Sequence, residues 1–170
     1  MIINERVAKA INDQIGNEFG AFTQYVAIGA YFDRMTLPEL SAYFYKQADE
    51  ERMHAYKMIQ FLCDAGYDLS IPAVAQPQNS LTSVEAAVEL SYNQEVRVTD
   101  QISSIYNLAC EEKDRVSESF LKWFLDEQLE EVSSMGDLLN IVRRAGDDVG
   151  LFRVEDYVAR RGHPEDVKGA

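Results

Sequence analysis

The sequence is poor in cysteine, in proline and in basic residues, and each scarcity excludes something. Only two cysteines occur in 170 residues, Cys63 and Cys110, with no Cys-x-x-Cys pair. There is no framework spacing, and two reduced thiols in the core of a cytoplasmic protein are expected in preference to a disulfide or a metal role. Sixteen Lys and Arg stand against twenty-nine Asp and Glu, a formal charge of -13, so the chain is expected to bind neither nucleic acid nor an anionic membrane surface. The longest apolar stretch, Tyr25 to Phe32 with Gly29 inside it, falls far short of the roughly 20 residues that span a bilayer. The N-terminus enters an amphipathic pattern at once, without the features of a secretory signal.

What is present is 46% hydrophobic residues, enough for one domain with a large core. The acidic excess fits a soluble surface, a solvated tail or a chain that collects cations, and only the placement of the carboxylates can choose among these.

Four prolines and nine glycines leave long stretches in which apolar residues recur every three or four positions, so the fold class is all-α. The first helix starts after Asn4 as N-cap and runs to about Arg34. Thr36-Leu37-Pro38-Glu39 reads as a capping box with Pro in the first turn, opening a second helix that ends near Ala65, before Gly66. From Gly66 to Leu81 the periodicity is lost and Pro72, Pro77, Asn79 and Ser80 cluster in a long connection. Thr82 to Glu85 opens a third helix to about Glu112, and Lys113-Asp114 separates it from a fourth that reaches Ala145 and is closed by Gly146. A shorter amphipathic segment, about 148–161, carries Leu151, Phe152, Val154, Tyr157 and Val158, and residues 162–170 form a tail. Tight turns make two antiparallel hairpins, and the middle connection can cross the bundle, so the expectation is a four-helix bundle over about 5–145 with one long crossover loop and a short fifth helix. The fifth helix is expected to lie outside the bundle core with its apolar face free for contacts.

Stepping by four and three along each helix exposes the informative pattern. The first seam reads Ile11, Ile15, Glu18, Phe22, Tyr25, Gly29, and the second Leu40, Phe44, Gln47, Glu51, His54, Met58, Phe61, Ala65. The third reads Val84, Val88, Ser91, Glu95, Val98, Ile102, Ile105, Ala109, and the fourth Phe120, Phe124, Glu127, Glu131, Ser134, Leu138, Ile141. Every seam carries an acid, and Glu18, Glu51, Glu95 and Glu131 each fall near the middle of a helix, so aligned helices bring them to one level. Isolated buried carboxylates cost several kcal/mol each, and like charges in contact need a counter-charge. No Lys or Arg lies in the seams at that level, and a metal cation supplies the missing charge; carboxylates with one imidazole suit iron, manganese or zinc. His54, three residues after Glu51, shares its helix face and can chelate with it. Any one of these acids alone could be an ordinary solvated side chain.

A second group, Glu50 with Glu127 and Glu130, lies one step outward and reads as an auxiliary cation site or as plain surface acids. Tyr25 and Trp123 fall close to the acidic level and read as core aromatics or as electron donors to a redox metal.

These residues carry a resemblance. Asn17-Glu18-Phe19 with Tyr25 downstream, Asp49-Glu50-Glu51-Arg52-Met53-His54, Gln94-Glu95 and the run from Trp123 to Glu131 resemble the non-haem prokaryotic ferritins, and among them most the actinobacterial type. The resemblance covers the whole chain. It implies a homo-oligomeric cage of twenty-four subunits that takes up Fe(II), oxidises it with dioxygen or hydrogen peroxide at a di-iron centre within each subunit, and stores ferric mineral. Position by position it implies Glu18, Glu51 and His54 at a first iron, bridging Glu51 with Glu95 and Glu131 at a second, and Glu50, Glu127 and Glu130 at a third. Gln128 matches a polar residue beside the centre, and Tyr25 and Trp123 the aromatic pair that supplies electrons. The fifth helix would stand at the fourfold axes, and Glu118, near the start of the fourth helix, reads equally as a lining residue of an iron channel or as a solvated acid.

Departures from related families refine this. Bacterioferritins resemble the chain but carry a second Glu-x-x-His on the last bundle helix, where Glu131 is here followed by Ser134. Their haem-ligating Met corresponds to Arg52; Met53 lies about 100° away around the helix, so no haem is expected. Rubrerythrin-like proteins carry an appended Cys-rich iron domain, which is absent here. A di-metal oxygenase without a storage role and a purely structural bundle are the rival readings.

Overall fold

The computed structural model describes residues 2–146 and 148–161. Five helices follow in order, α1 (Glu5–Arg34), α2 (Pro38–Asp64), α3 (Val84–Glu111), α4 (Arg115–Ala145) and α5 (Asp148–Arg161). Residues 162–170, including His163, lie outside the described residues. Among the described residues no helix is long and apolar enough to cross a membrane.

The helix starts show how local chemistry sets the elements. Asn4 caps α1 by accepting from the Arg6 N–H at 2.9 Å, and its own N–H donates to Asp114 at 2.8 Å, tying the start of α1 to the α3–α4 turn. Asp114 in turn caps α4, accepting from the Ser117 N–H at 3.0 Å and the Ser117 hydroxyl at 2.8 Å. Gly66 and Gly146 follow α2 and α4 with φ of 76° and 72°, the left-handed conformation that glycine adopts without a Cβ clash.

Two caps differ from the sequence reading. Ser83, not Thr82, caps α3, accepting from the Ala86 N–H at 3.0 Å. Thr36 takes a φ of 60° and does not cap α2, whose N-cap is Leu37, with no side-chain bond. The free amides of α2 are satisfied from far away: the Glu39 and Leu40 N–H groups donate to the Glu155 carboxylate of α5 at 2.9 and 2.8 Å.

The bundle pairs α1 with α2 and α3 with α4, and α1 also meets α3. The connection between α2 and α3 lies along α1. Asn12 exchanges two hydrogen bonds with the Ser70 backbone and Gln24 two with the Gln78 backbone, anchors about 18 Å apart along the helix. Gly16 permits this approach, since a Cβ there would come within 2.9 Å of Pro72 Cβ.

Two apolar clusters fill the interior. One gathers Ile11, Ile15, Met58, Leu62, Ile102 and Leu121, and the other Phe32, Leu40, Phe44, Val88, Leu138 and Leu139. Between them lies a buried polar layer of Glu18, Gln47, Glu51, His54, Gln94, Glu95, Gln128 and Glu131.

Three expectations need correction. The buried stripe of α4 runs through Leu121, Phe124, Gln128, Glu131, Met135, Leu138 and Val142, while Phe120, Glu127, Ser134 and Ile141 are only half-buried. The two frames share Phe124, Glu131 and Leu138, and apolar residues on both flanks made the spacing ambiguous. The cysteines are exposed rather than core, because each lies on the outward face of its helix, one residue past the buried Leu62 and Ala109. Finally, α5 belongs to the packed structure: it meets α4 and α2, Val154 is fully buried in the second cluster, and Leu151 and Val158 pack against it. Phe152 and Val149 remain exposed, at 72% and 70%.

Candidate metal centre

The centre starts from α1 and α2. Glu18 points inward from the middle of α1, and Glu51 and His54 from one face of α2, one turn apart. His54 Nδ1 stands 3.8 Å from Glu18 Oε2 and 3.5 Å from Glu51 Oε2, and donor atoms of the three residues lie within 4.8 Å of one another. Ligand atoms at about 2.1 Å from one ion can be no more than about 4.2 Å apart, so the imidazole nitrogen stands at coordination spacing from each carboxylate oxygen. The same two oxygens, Glu18 Oε2 and Glu51 Oε2, are buried and accept no hydrogen bond. Buried carboxylate oxygens are ordinarily hydrogen-bonded; these two instead stand near His54 Nδ1 with no hydrogen bond made to either.

The second pair comes from α3 and α4. Glu95 accepts from the Tyr25 hydroxyl through Oε1 and from Gln128 Nε2, at 3.0 Å, through Oε2. Burial pushes its carboxyl up to about 7, against the downward pull of the Tyr25 and Gln128 hydrogen bonds. Burial, then the charges of Glu95, Glu18 and Glu131, raise Glu51 well above the carboxylate range. Burial, then Glu95 and Glu50, do the same to Glu131, which Gln47 partly offsets by hydrogen bonding. The charges of Glu95, Glu18 and Glu131 all reach Glu51, so α2 carries its acid within electrostatic range of one acid from each of the other three bundle helices. Among the described residues no Lys or Arg pairs with any of them. The hydroxyl of Tyr25 is likewise raised well above its usual value, by burial first and by the Glu95 charge next.

The structure brings together some expected residues more closely than others. Only Glu18, Glu51 and His54, among the described residues, converge as a ready ligand set; Glu95 is turned toward Tyr25 and Gln128. Glu50, Glu127 and Glu130 are half-buried. Glu50 accepts from Gln47 Nε2 at 2.5 Å, and the charges of Glu50 and Glu127 both reach Glu131. Trp123 is 36% exposed and meets His54 edge-on at 5.5 Å between ring centroids. Arg52 pairs with Asp49 at 3.0 Å and Met53 is exposed. Glu118 is held by Arg115 at 2.7 Å.

Gln14 escaped the sequence reading. Buried in α1, it donates from Nε2 to Glu18 Oε1 at 2.7 Å and to Gln101 Oε1 at 3.2 Å, and accepts from Asn17 Nδ2 at 2.8 Å. The signal was its place one turn before Glu18, on the same face. By occupying Oε1, Gln14 leaves Oε2 as the free oxygen of Glu18.

Residues 8–145 match the ferritin-like domain. This chain belongs to the ferritin family. It is 45% identical over 150 residues to ferritin BfrB of Mycolicibacterium smegmatis, covering 88% of this chain and 82% of that one. With the bacterial non-heme ferritin of Staphylococcus aureus it shares 34% over 166 residues, 97% of this chain and all of the other. Among solved structures, an engineered closed form of the Archaeoglobus fulgidus ferritin superposes with a TM-score of 0.89 at 33% identity, over 95% of this chain and 99% of that one. The matched span takes in α2, α3 and α4 and all of α1 but its first three residues, so the polar layer of this ferritin lies wholly within the family domain.

Proposed function

We propose that this ferritin stores and detoxifies iron: it takes up Fe(II) as substrate, oxidises it to Fe(III) within each subunit, and deposits ferric mineral inside a cage of twenty-four copies. The carrying observation is the pair of orphaned oxygens, Glu18 Oε2 and Glu51 Oε2, near His54 Nδ1 and paired, among the described residues, with no Lys or Arg. That arrangement is costly for the empty chain and is relieved by a divalent cation.

Glu18, Glu51 and His54 hold the first Fe(II). Glu51 bridges to a second, which Glu95 and Glu131 complete after Glu95 releases its contact with Tyr25 or Gln128. Glu51, Glu95 and Glu131 are held toward the protonated form by burial, so Fe(II) uptake displaces protons from them. Two Fe(II) each lose one electron to a single dioxygen, which takes up two protons and leaves as hydrogen peroxide; peroxide as oxidant takes two electrons and two protons and leaves as two waters. Anionic carboxylates favour Fe(III) over Fe(II) and so assist the loss of electrons. Tyr25 and Trp123 stand by as further one-electron donors, and Gln128 orients Glu95. Glu50, Glu127 and Glu130 form an outer station through which Fe(III) leaves or a third iron binds. The connection 66–83, anchored along α1, serves as the crossover that turns two hairpins into this bundle, and the protein works in the cytoplasm.

The test combines particle size with iron stoichiometry. A hollow assembly that accepts hundreds of iron atoms per particle, with a fast phase at two Fe(II) per subunit, is expected. A dimer that binds two metal ions per chain and mineralises nothing would overturn the storage reading in favour of a di-metal oxygenase.

A further inference from the structure

Trp123 is the sole tryptophan of the chain, and its ring has three close neighbours. His54 meets it at 5.5 Å with the planes at 81°, and Phe124 at 4.8 Å and 87°. The Lys57 ammonium lies 4.1 Å from the ring centroid, over its face. Lys57 follows His54 by three residues on α2, so one helix face presents both the proposed iron ligand and the cation, and His54, Lys57 and Trp123 line one open groove.

We propose that Lys57 is a positioning residue for Trp123 that also sets how readily the indole gives up an electron. The proposal rests on the reading of Trp123 as a donor to the iron centre through His54. In its closed-shell form the indole attracts the ammonium, because the ring face is the negative part of its quadrupole. This attraction holds the plane of the ring while His54 and Phe124 pack against it in edge-to-face geometry. Loss of one electron turns the indole into a radical cation, and the same contact becomes a repulsion between two positive charges. The electron goes to dioxygen or peroxide under reduction at the iron centre, and the Nε1 proton then leaves to water, giving the neutral radical. Lys57 opposes the first of these steps, so it shields an exposed, easily oxidised side chain from weak oxidants in the groove and reserves its electron for the strong oxidant at the centre. At about 4 Å even fully water-screened repulsion corresponds to about fivefold in an equilibrium.

The experiment uses metal-free full-length protein and an uncharged photo-oxidant, with tryptophan radical formation followed by transient absorption and electron paramagnetic resonance. Trp123→Phe supplies the baseline from tyrosines. Lys57→Met is expected to speed radical formation about fivefold or more over wild type, and Lys57→Arg, which keeps a cation on the ring, to stay within about twofold of wild type. Lys122→Met removes the same net charge next to Trp123 in sequence and is expected to change nothing. Equal rates for Lys57→Met and wild type overturn the proposal, and so does equal acceleration by Lys57→Met and Lys122→Met, which would make the effect one of overall charge. Because no iron is present, these outcomes are independent of whether Trp123 serves the oxidation of Fe(II). That reading is tested separately by Trp123→Phe in iron-loaded protein, where unchanged electron delivery would remove it while leaving the Lys57 result standing.

Discussion

Replacing Glu155 by alanine should open the start of α2, a helix with which it has no sequence proximity. The N-cap position of α2 is Leu37, which offers no side-chain acceptor, and the Glu39 and Leu40 amides are both taken by the Glu155 carboxylate at 2.9 and 2.8 Å. Loss of an N-cap acceptor costs about 0.5–2 kcal/mol, and a hydrogen bond to a charged group contributes about 1.5–3 kcal/mol. With Glu155 only 9% exposed, water replaces it incompletely, and a local loss of about 2 kcal/mol is a sound working figure. That equals about a thirtyfold drop in hydrogen-exchange protection. The assay is exchange at the Glu39 and Leu40 amides in assembled protein, with Val154→Ala as comparator. The comparator removes apolar burial from the second core cluster but leaves the carboxylate, so these two amides should keep most of their protection. Glu155→Gln, with one neutral acceptor oxygen, should fall between. Wild-type exchange at both amides in Glu155→Ala would refute the reasoning. Truncation after Gly146 should reproduce the Glu155→Ala exchange, expose part of the second core cluster and weaken cage assembly in size-exclusion chromatography. The four bundle helices should remain folded by circular dichroism, because the polar layer contains nothing beyond Glu131.

Glu51→Ala should abolish the fast oxidation phase at two Fe(II) per subunit while the metal-free protein keeps or gains stability, since a crowded buried carboxylate is removed; stopped-flow oxidation and chemical denaturation read the two halves, and near-wild-type oxidation would remove Glu51 as bridge. Glu130→Ala, alone or with Glu50→Ala, should spare the first oxidation burst and slow only later turnover, and a burst lost as completely as in Glu95→Ala would show the two groups to be reversed. The pH dependence of the metal-free protein follows from the raised acids. Glu95 titrates at about 7 in the folded chain against a usual 4.5, so between these values the folded state binds more protons than the unfolded one. Its contribution is fully present below about 4.5 and is lost as pH rises through about 7, with Glu51 and Glu131 acting in the same direction. Denaturation of the metal-free protein should therefore show stability falling from pH 5 to 8, less steeply in Glu95→Gln; a rising profile, or an unchanged slope in the variant, would contradict the assignment.

What the amino-acid order determined by itself is what short-range physics controls. The 3.6-residue period of the apolar positions, the cap residues Asn4 and Asp114 and the glycines Gly66 and Gly146 act within a turn or two of their own position, so helix number and limits were legible. The depth of Glu18, Glu51, Glu95 and Glu131 along their helices was legible for the same reason, since position within a helix of known rise is a length. The tertiary structure alone decided how the oxygens of Glu95 are occupied, because that depends on Gln128 reaching from α4 and on Tyr25 reaching from α1 to α3, whereas the Gln14 contact to Glu18 is a local one, one turn apart on α1. It also decided the rotation of α4 that buries Gln128 and leaves Glu127 at the margin, a choice between two frames that both offered apolar residues. The capping of α2 by Glu155 and the seating of Lys57 on Trp123 lie furthest from any local pattern. Each joins residues on helices remote in sequence, and such contacts exist only once packing has set the angle and register of one helix against another.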